Sequence, residues 1–244
     1  MTRIFISRGI TPIIKSGDLK ITLNENGTDD MNVTLSLKFD VCPIWLKISV
    51  DHLIQAKEWN TKCVEVFKGN DNVLKSESIE NEFEHSMQAI IAMAIAYDAF
   101  YASLKDKEII FKNITDIWKK NRTARHKQVS ETIRKGFKIK PNGAKILSQS
   151  VKEIYRFRDM AIHPLSNIEQ AVMREDLGIG VEWRFACFTY LNSKLIVNEG
   201  LKRMKELVSS NAYTNEKLKI YCTSMLALID PMIKAYEQNI DNIQ

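Results

Sequence analysis

The sequence predicts an α+β fold, with a β-rich N-terminal part ahead of a helical remainder. Three observations carry this. Near the N-terminus apolar residues alternate with polar ones, in Leu19, Ile21 and Leu23 and again in Val33, Leu35, Leu37 and Phe39. A turn-rich break, Lys68-Gly69-Asn70-Asp71-Asn72, then interrupts the chain. Beyond it apolar residues recur at spacings of three and four, the helical period, almost to the C-terminus. The expected division is a β-rich domain over residues 1–76 and a helical domain over 77–244.

In order along the chain, the two alternating runs flank NENGTDDMN, whose Asn26-Gly27 suits a hairpin. Ile4 and Ile6, and then Ile44, Leu46 and Ile48, are candidates for further strands. Residues 49–67 read two ways: 51–56 can open a helix, while 63–67 looks extended. Ser78, Glu80 and Asn81 offer capping chemistry for a helix over about 80–104. That helix is the most hydrophobic in the chain. Phe83, Met87, Ile90, Ile91, Ala94, Tyr97 and Tyr101 form one face, and Ala92, Ile95 and Ala96 make the opposite side apolar, so it is expected to be central. Asp98 falls within this apolar face. A carboxylate there is either paired or raised in pKa, with Arg158 one candidate partner; the alternative is a wet Asp98 at the edge of the face. His52 reads as a surface or satisfied histidine, and His85, off the apolar stripe, as exposed.

A shorter helix is expected over 108–120 with Ile109, Ile110, Ile114, Ile117 and Trp118 inward, and a peripheral one over 123–137. Pro141-Asn142-Gly143 breaks the chain before the next helix. Residues 165–181 read as a loop. Helical patterning resumes over 182–207, with Phe185, Phe188, Leu191, Leu195, Val197, Leu201 and Met204 inward. A last helix over 215–238 contains Pro231, which should kink or split it.

Composition narrows the function classes. Of 244 residues, 45% are hydrophobic and 27% charged, ordinary for a globular protein, with nine glycines and five prolines, few enough to favour long helices. No run of about 18 apolar residues occurs and the N-terminus lacks a signal-peptide core, so no membrane contact is expected. Cys42, Cys63, Cys187 and Cys222 are widely separated, without CxxC or zinc spacing, and read as buried free thiols in a reducing cytoplasm. Walker, GxGxxG, GxSxG and HExxH motifs are absent, so neither a cofactor nor a metal is expected. Charge is uneven. Ten Lys/Arg and one acid, Glu131, lie between Lys119 and Lys145, a net +9 against +5 for the whole chain, which leaves −4 elsewhere. Such a segment is either a polyanion contact or a solvated helix face.

The most informative stretch is 144–164, AKILSQSVKEIYRFRDMAIHP. Leu147, Val151, Ile154 and Ile162 share one helical face. Arg158 falls in the middle of that stripe and Arg156 on the opposite side. A guanidinium on an apolar stripe needs a partner or a job. Pro164 disfavours the α region at His163, so the helix should end there, with the His163 ring free to turn toward Arg158. Asp159, four residues earlier, is within reach of that ring and can fix its tautomer. The bland alternative is a structural Arg–Asp–His cluster at a helix end.

These residues, Arg158-Asp159-Met160-Ala161-Ile162-His163, resemble the R-x4-H signature of the HEPN superfamily, in which a polar residue commonly follows the arginine. The resemblance implies a small up-and-down helical bundle, usually a homodimer, in which two copies of the motif form one RNA-cleaving cleft. It also implies a metal-independent endoribonuclease, of the kind found among toxins and antiviral defence effectors. Cleavage by ribose 2′-OH transesterification needs a base for the 2′ proton and a cation for the phosphoryl oxygens. The expected roles are His163 as general base, Arg158 as stabiliser of the transition state and Asp159 as orienter of His163. RNA is the expected partner, with Lys119, Lys120, Arg122, Arg125 and Lys127 on its backbone. The N-terminal part is free to recruit a substrate or an inhibitor, and an antitoxin or regulatory protein is a candidate partner. Two other readings stand beside this one: a non-catalytic HEPN-like module that binds nucleic acid, a nucleotide or a protein, and a structural assembly in which Arg158 and His163 only pin a helix end.

Overall fold

A computed structural model describes residues 10–13, 19–23, 29–34, 36–162 and 170–241. The chain divides into two compact units, Met1–Val41 and Cys42–Gln244, so the division falls well ahead of the expected one at 76/77.

In the first unit β1 (Ile10–Ile13) pairs antiparallel with β4 (Ser36–Phe39), and β2 (Leu19–Leu23) pairs with β3 (Asp29–Val33). Register joins Leu19 to Val33 and Leu23 to Asp29. The alternating run expected over 33–39 is thus divided between two strands. Ile4, Ile6, Asn26 and Gly27 lie outside the described residues.

The second unit is a helical bundle. Its first helix, α1 (Cys42–Val66), replaces the strands expected around Ile44, Leu46 and Ile48. The period-two reading failed because a second period runs through the same residues. Cys42, Leu46, Val50, Leu53 and Ala56 form a buried helical face, whereas Ile44 is exposed. The break expected at 68–72 falls at 67–71, and α2 (Asn72–Lys105) follows it. This helix begins earlier than expected because Asp71, not Ser78, caps it: its carboxylate accepts from the Val73 and Leu74 N–H groups at 2.9 and 3.0 Å. α2 is central. It packs most extensively on α1 and also meets four later helices. Tyr97 and Phe100 are fully buried along it. Among the described residues α2 alone is long and apolar enough to cross a membrane, yet 56% of its most apolar window is buried within the protein.

Next come α3 (Lys112–Lys120), α4 (Arg125–Gly136) and α5 (Pro141–Ile162). Ile117, expected inward on α3, is exposed. α4 is less peripheral than expected, since Val129 and Ile133 are fully buried and it packs on α2 and α5. Pro141 does not separate α5 from what precedes it but is its first residue, where proline's fixed φ suits a helix and its missing N–H has no partner to lose. Leu147, Val151 and Ile154 are buried as expected, while Ile162, near the helix end, is exposed.

The expected loop after residue 169 contains a hairpin, β5 (Val172–Arg174) with β6 (Ile179–Val181), followed by a short α6 (Trp183–Cys187). Thr189 caps α7 (Tyr190–Ser209) through the Asn192 N–H, which breaks the single helix expected over 182–207. Leu191 and Leu195 are exposed rather than inward. α8 (Glu216–Tyr236), capped by Asn215, runs on through Pro231 without splitting, and one π turn, Glu237–Asp241, follows it. Cys42, Cys63 and Cys222 are buried and Cys187 is partly exposed.

Candidate functional site

The site forms where α2, α4 and α5 meet. Asp98 on α2 is its hub. The Arg125 Nε donates to Asp98 Oδ1 at 2.6 Å, and the Tyr155 hydroxyl donates to the same oxygen at 2.7 Å. Arg158 Nη1 approaches the other oxygen, Oδ2, at 3.5 Å. One carboxylate therefore gathers two guanidinium groups and a phenol. Arg158, one of the alternatives the sequence offers for Asp98, does reach it, and the Asp98 side chain is partly buried at 28% exposure; Arg125 and Tyr155 are further partners that the sequence did not single out.

Local helix geometry explains how each group arrives. Arg158 lies one turn beyond Ile154 on the inward face of α5, which brings it to α2 with its side chain only 22% exposed. Arg125 opens α4 and reaches Asp98 across the gap. Each guanidinium also stacks on an aromatic ring: Arg125 on Tyr101 at 4.2 Å and Arg158 on Tyr155 at 4.5 Å. Such stacking fixes the plane of the guanidinium fork, which a flexible lysine would not achieve.

Electrostatics follow from this packing. Burial, and then the Asp98 carboxylate, push the Tyr155 phenol far up, so it stays a hydrogen-bond donor. Burial works against the charge on Arg125, but the hydrogen bond and charge of Asp98 outweigh it and raise its pKa. Asp159 is taken up by its neighbour: its Oδ1 accepts from Arg158 Nε and Nη2 at 3.0 and 2.7 Å. His163 and Pro164 lie outside the described residues, so the expected Asp159–His163 contact does too.

The expected RNA-binding cations divide into two groups. Lys119 and Lys120 end α3, Arg122 sits in the following turn at φ 48°, and Lys127 lies on α4; all four are exposed. Arg125 instead belongs to the Asp98 cluster. Arg134 and Lys135, from the same basic segment, pair with Glu131.

Beside the cluster lies a cavity of about 390 Å³ whose wall includes Tyr155 and Asp159 together with His126, Lys152 and Trp183. His126 went unnoticed in the sequence because nothing but its place next to Arg125 marks it. Burial, then the nearby Lys127 and Lys152 ammonium groups, lower its pKa, with Asp159 opposing.

A second polar cluster was also missed. Glu82 on α2 is fully buried and accepts from Arg174 Nη1 at 2.9 Å, Asn60 Nδ2 at 3.0 Å and the Tyr190 N–H at 2.9 Å. Asp176 holds Arg174 from the other side at 2.5 and 2.9 Å. A signal was present, since Glu82 stands four residues before buried Ser86 and seven before buried Ala89 on one helical face. Through these bonds the cluster ties the β5–β6 hairpin to α1, α2 and α7.

Comparison of the chain with family models, curated proteins and solved structures gives no match.

Proposed function

We propose that this chain is an endoribonuclease that cleaves RNA without a metal ion, as a toxin or an antiviral defence effector, and acts as a homodimer. The observation that carries the reading is the gathering of Arg125 and Arg158 on Asp98, at the last turns of the helix that leads into His163. A guanidinium held in plane by a ring and a carboxylate is pre-organised to receive a phosphodiester. In the proposed reaction His163 takes the proton from the ribose 2′-OH, the oxygen attacks phosphorus, and Arg158 stabilises the charge on the non-bridging oxygens. The P–O5′ bond breaks and the 5′-oxygen leaves, taking a proton from water, to give a 2′,3′-cyclic phosphate and a 5′-hydroxyl. Lys119, Lys120, Arg122 and Lys127, exposed in the same basic segment, would carry the RNA backbone. An antitoxin or another regulatory protein would be its natural partner.

A second reading has its own observation. Arg158 is already bonded by both Asp98 and Asp159, as a structural anchor or a non-catalytic binding module would have it. The deciding experiment is RNA cleavage by the purified protein in EDTA, beside folded Arg158→Ala and His163→Ala variants. The nuclease reading expects cyclic-phosphate products from the parent and none from either variant. Intact RNA with undiminished RNA binding would transfer the assignment to the binding module.

A further inference from the structure

We propose that the cavity beside the Asp98 cluster is a nucleotide subsite that holds one base and its phosphate from a single-stranded RNA. The base would lie against Trp183 and the phosphate among His126, Lys152 and Arg156. This deepens the ribonuclease reading and rests on it for the identity of the strand.

Size and chemistry both point this way. The cavity, about 390 Å³, lies within the range of small-molecule sites. Its wall is of two kinds. Trp183, Tyr155 and Met160 supply aromatic and thioether surface, which favours a flat, apolar ring. Lys152 and His126, with Arg156 that is paired to Glu153 at 2.8 Å, add groups that carry or can take positive charge, the complement of a phosphate. Stacking beside cations is how single strands are held without reading their sequence, since each base has a π-face. Asp159 also faces the cavity, and its carboxylate can accept from a base amino group or a ribose hydroxyl.

Position strengthens the case. Tyr155 lines the cavity and donates to Asp98, while Asp159 lines it and accepts from Arg158. A nucleotide there would therefore touch two side chains that contact Arg158, and the next phosphate along the strand would be presented to that guanidinium. The cavity's three elements come from distant parts of the chain, α4, α5 and α6, so no local motif announces it. Arg184 rests on the Trp183 ring with its guanidinium 5.7 Å from the centroid, which shows one face of that ring already engaged by a planar cation.

The test uses a 2′-O-methyl oligoribonucleotide, which cannot be cleaved, titrated into the parent, Trp183→Ala, Trp183→Phe and the Lys152→Ala/Arg156→Ala double variant. Each variant is checked for folding by circular dichroism. Trp183→Ala should weaken binding roughly tenfold or more, and Trp183→Phe should retain most of the affinity. The double variant replaces only exposed side chains, so it should fold whatever happens at Trp183, and its salt dependence should fall by about one phosphate contact. Parent-like affinity and salt slope in both Trp183→Ala and the double variant would overturn the subsite, as would a parent that does not bind the oligonucleotide. Cleavage of ordinary RNA in EDTA separates the two ideas. Cleavage with a parent-like KM in all these variants sinks the subsite and leaves the nuclease. No cleavage, with binding that depends on Trp183, keeps the subsite and sinks the nuclease.

Discussion

Asp98 and Arg158 stand 60 positions apart in the chain, yet their side chains meet across α2 and α5 at 3.5 Å. The contact is the looser of two that Asp98 makes with arginines, the Arg125 bond being 2.6 Å. Asp98 therefore reads as the residue that sets the spacing of two guanidiniums rather than as a partner of either alone.

Its removal should be felt as misplacement. Asp98→Asn keeps the shape and loses the charge that attracts Arg125 and Arg158. If the cluster cleaves RNA, kcat should fall about 100-fold, since small displacements of a positioned group cost that much, while KM changes little. Steady-state kinetics on a folded variant decide this. A rise in KM at constant kcat would instead assign Asp98 to RNA binding.

The buried Glu82–Arg174 pair makes a sharper stability prediction. Glu82 is fully buried and the Arg174 side chain is 3% exposed, so Glu82→Ala removes the buried carboxylate of the pair and leaves the guanidinium to the partly exposed Asp176. The expected cost is about 3–5 kcal/mol. Asp176 is 36% exposed, and Asp176→Ala should cost clearly less, because water can replace it. Urea denaturation of the two variants gives the order, and equal losses would show that Glu82 is not the anchor of the hairpin.

Gly200 on α7 leaves room for α2. A Cβ there would stand 2.6 Å from Met93 Sδ and 2.9 Å from its Cγ, and Met93 is fully buried. The Gly200 carbonyl also accepts from the buried Tyr97 hydroxyl at 3.0 Å. Gly200→Ala should destabilise by about 1–3 kcal/mol through overpacking, despite the better helix propensity of alanine. A thermal melt at or above that of the parent would contradict this close approach.

Stability should fall on mild acidification. His52 on α1 and His85 on α2 face each other with Nδ1 atoms 3.0 Å apart, so at least one ring must be neutral to accept. Burial, then the neighbouring His85, lower the His52 pKa below 6.5, against Asp51 and Glu84. A folded-state pKa below the unfolded one means that the unfolded chain binds more protons as pH drops. The contribution is complete above about pH 6.5 and is lost as pH falls through the lowered folded value; His126 adds to it in the same direction. Urea midpoints should therefore drop between pH 7.5 and 5.5, and His52→Asn should flatten the curve. A midpoint unchanged in the parent over that range would rule the pair out as a pH-sensitive contact.

The sequence by itself determined the helical periods, the break around Gly69-Asn70, the helix that carries Arg158 and the side of that helix on which Arg158 lies. These are local properties, because the spacing of apolar side chains along a few turns already selects the face that turns inward. What the tertiary structure decided was which faces meet. It made Cys42–Val66 a helix, since the Leu46, Val50 and Leu53 stripe finds α2 to pack against. It left Leu191 and Leu195 exposed, although their spacing fits a buried stripe. It brought Arg125 and Tyr155 to Asp98, Arg174 to Glu82, and His126 and Trp183 to one cavity. Pairings of this kind depend on how distant helices cross and on the desolvation of charges between them. Neither is written in the spacing of neighbouring residues.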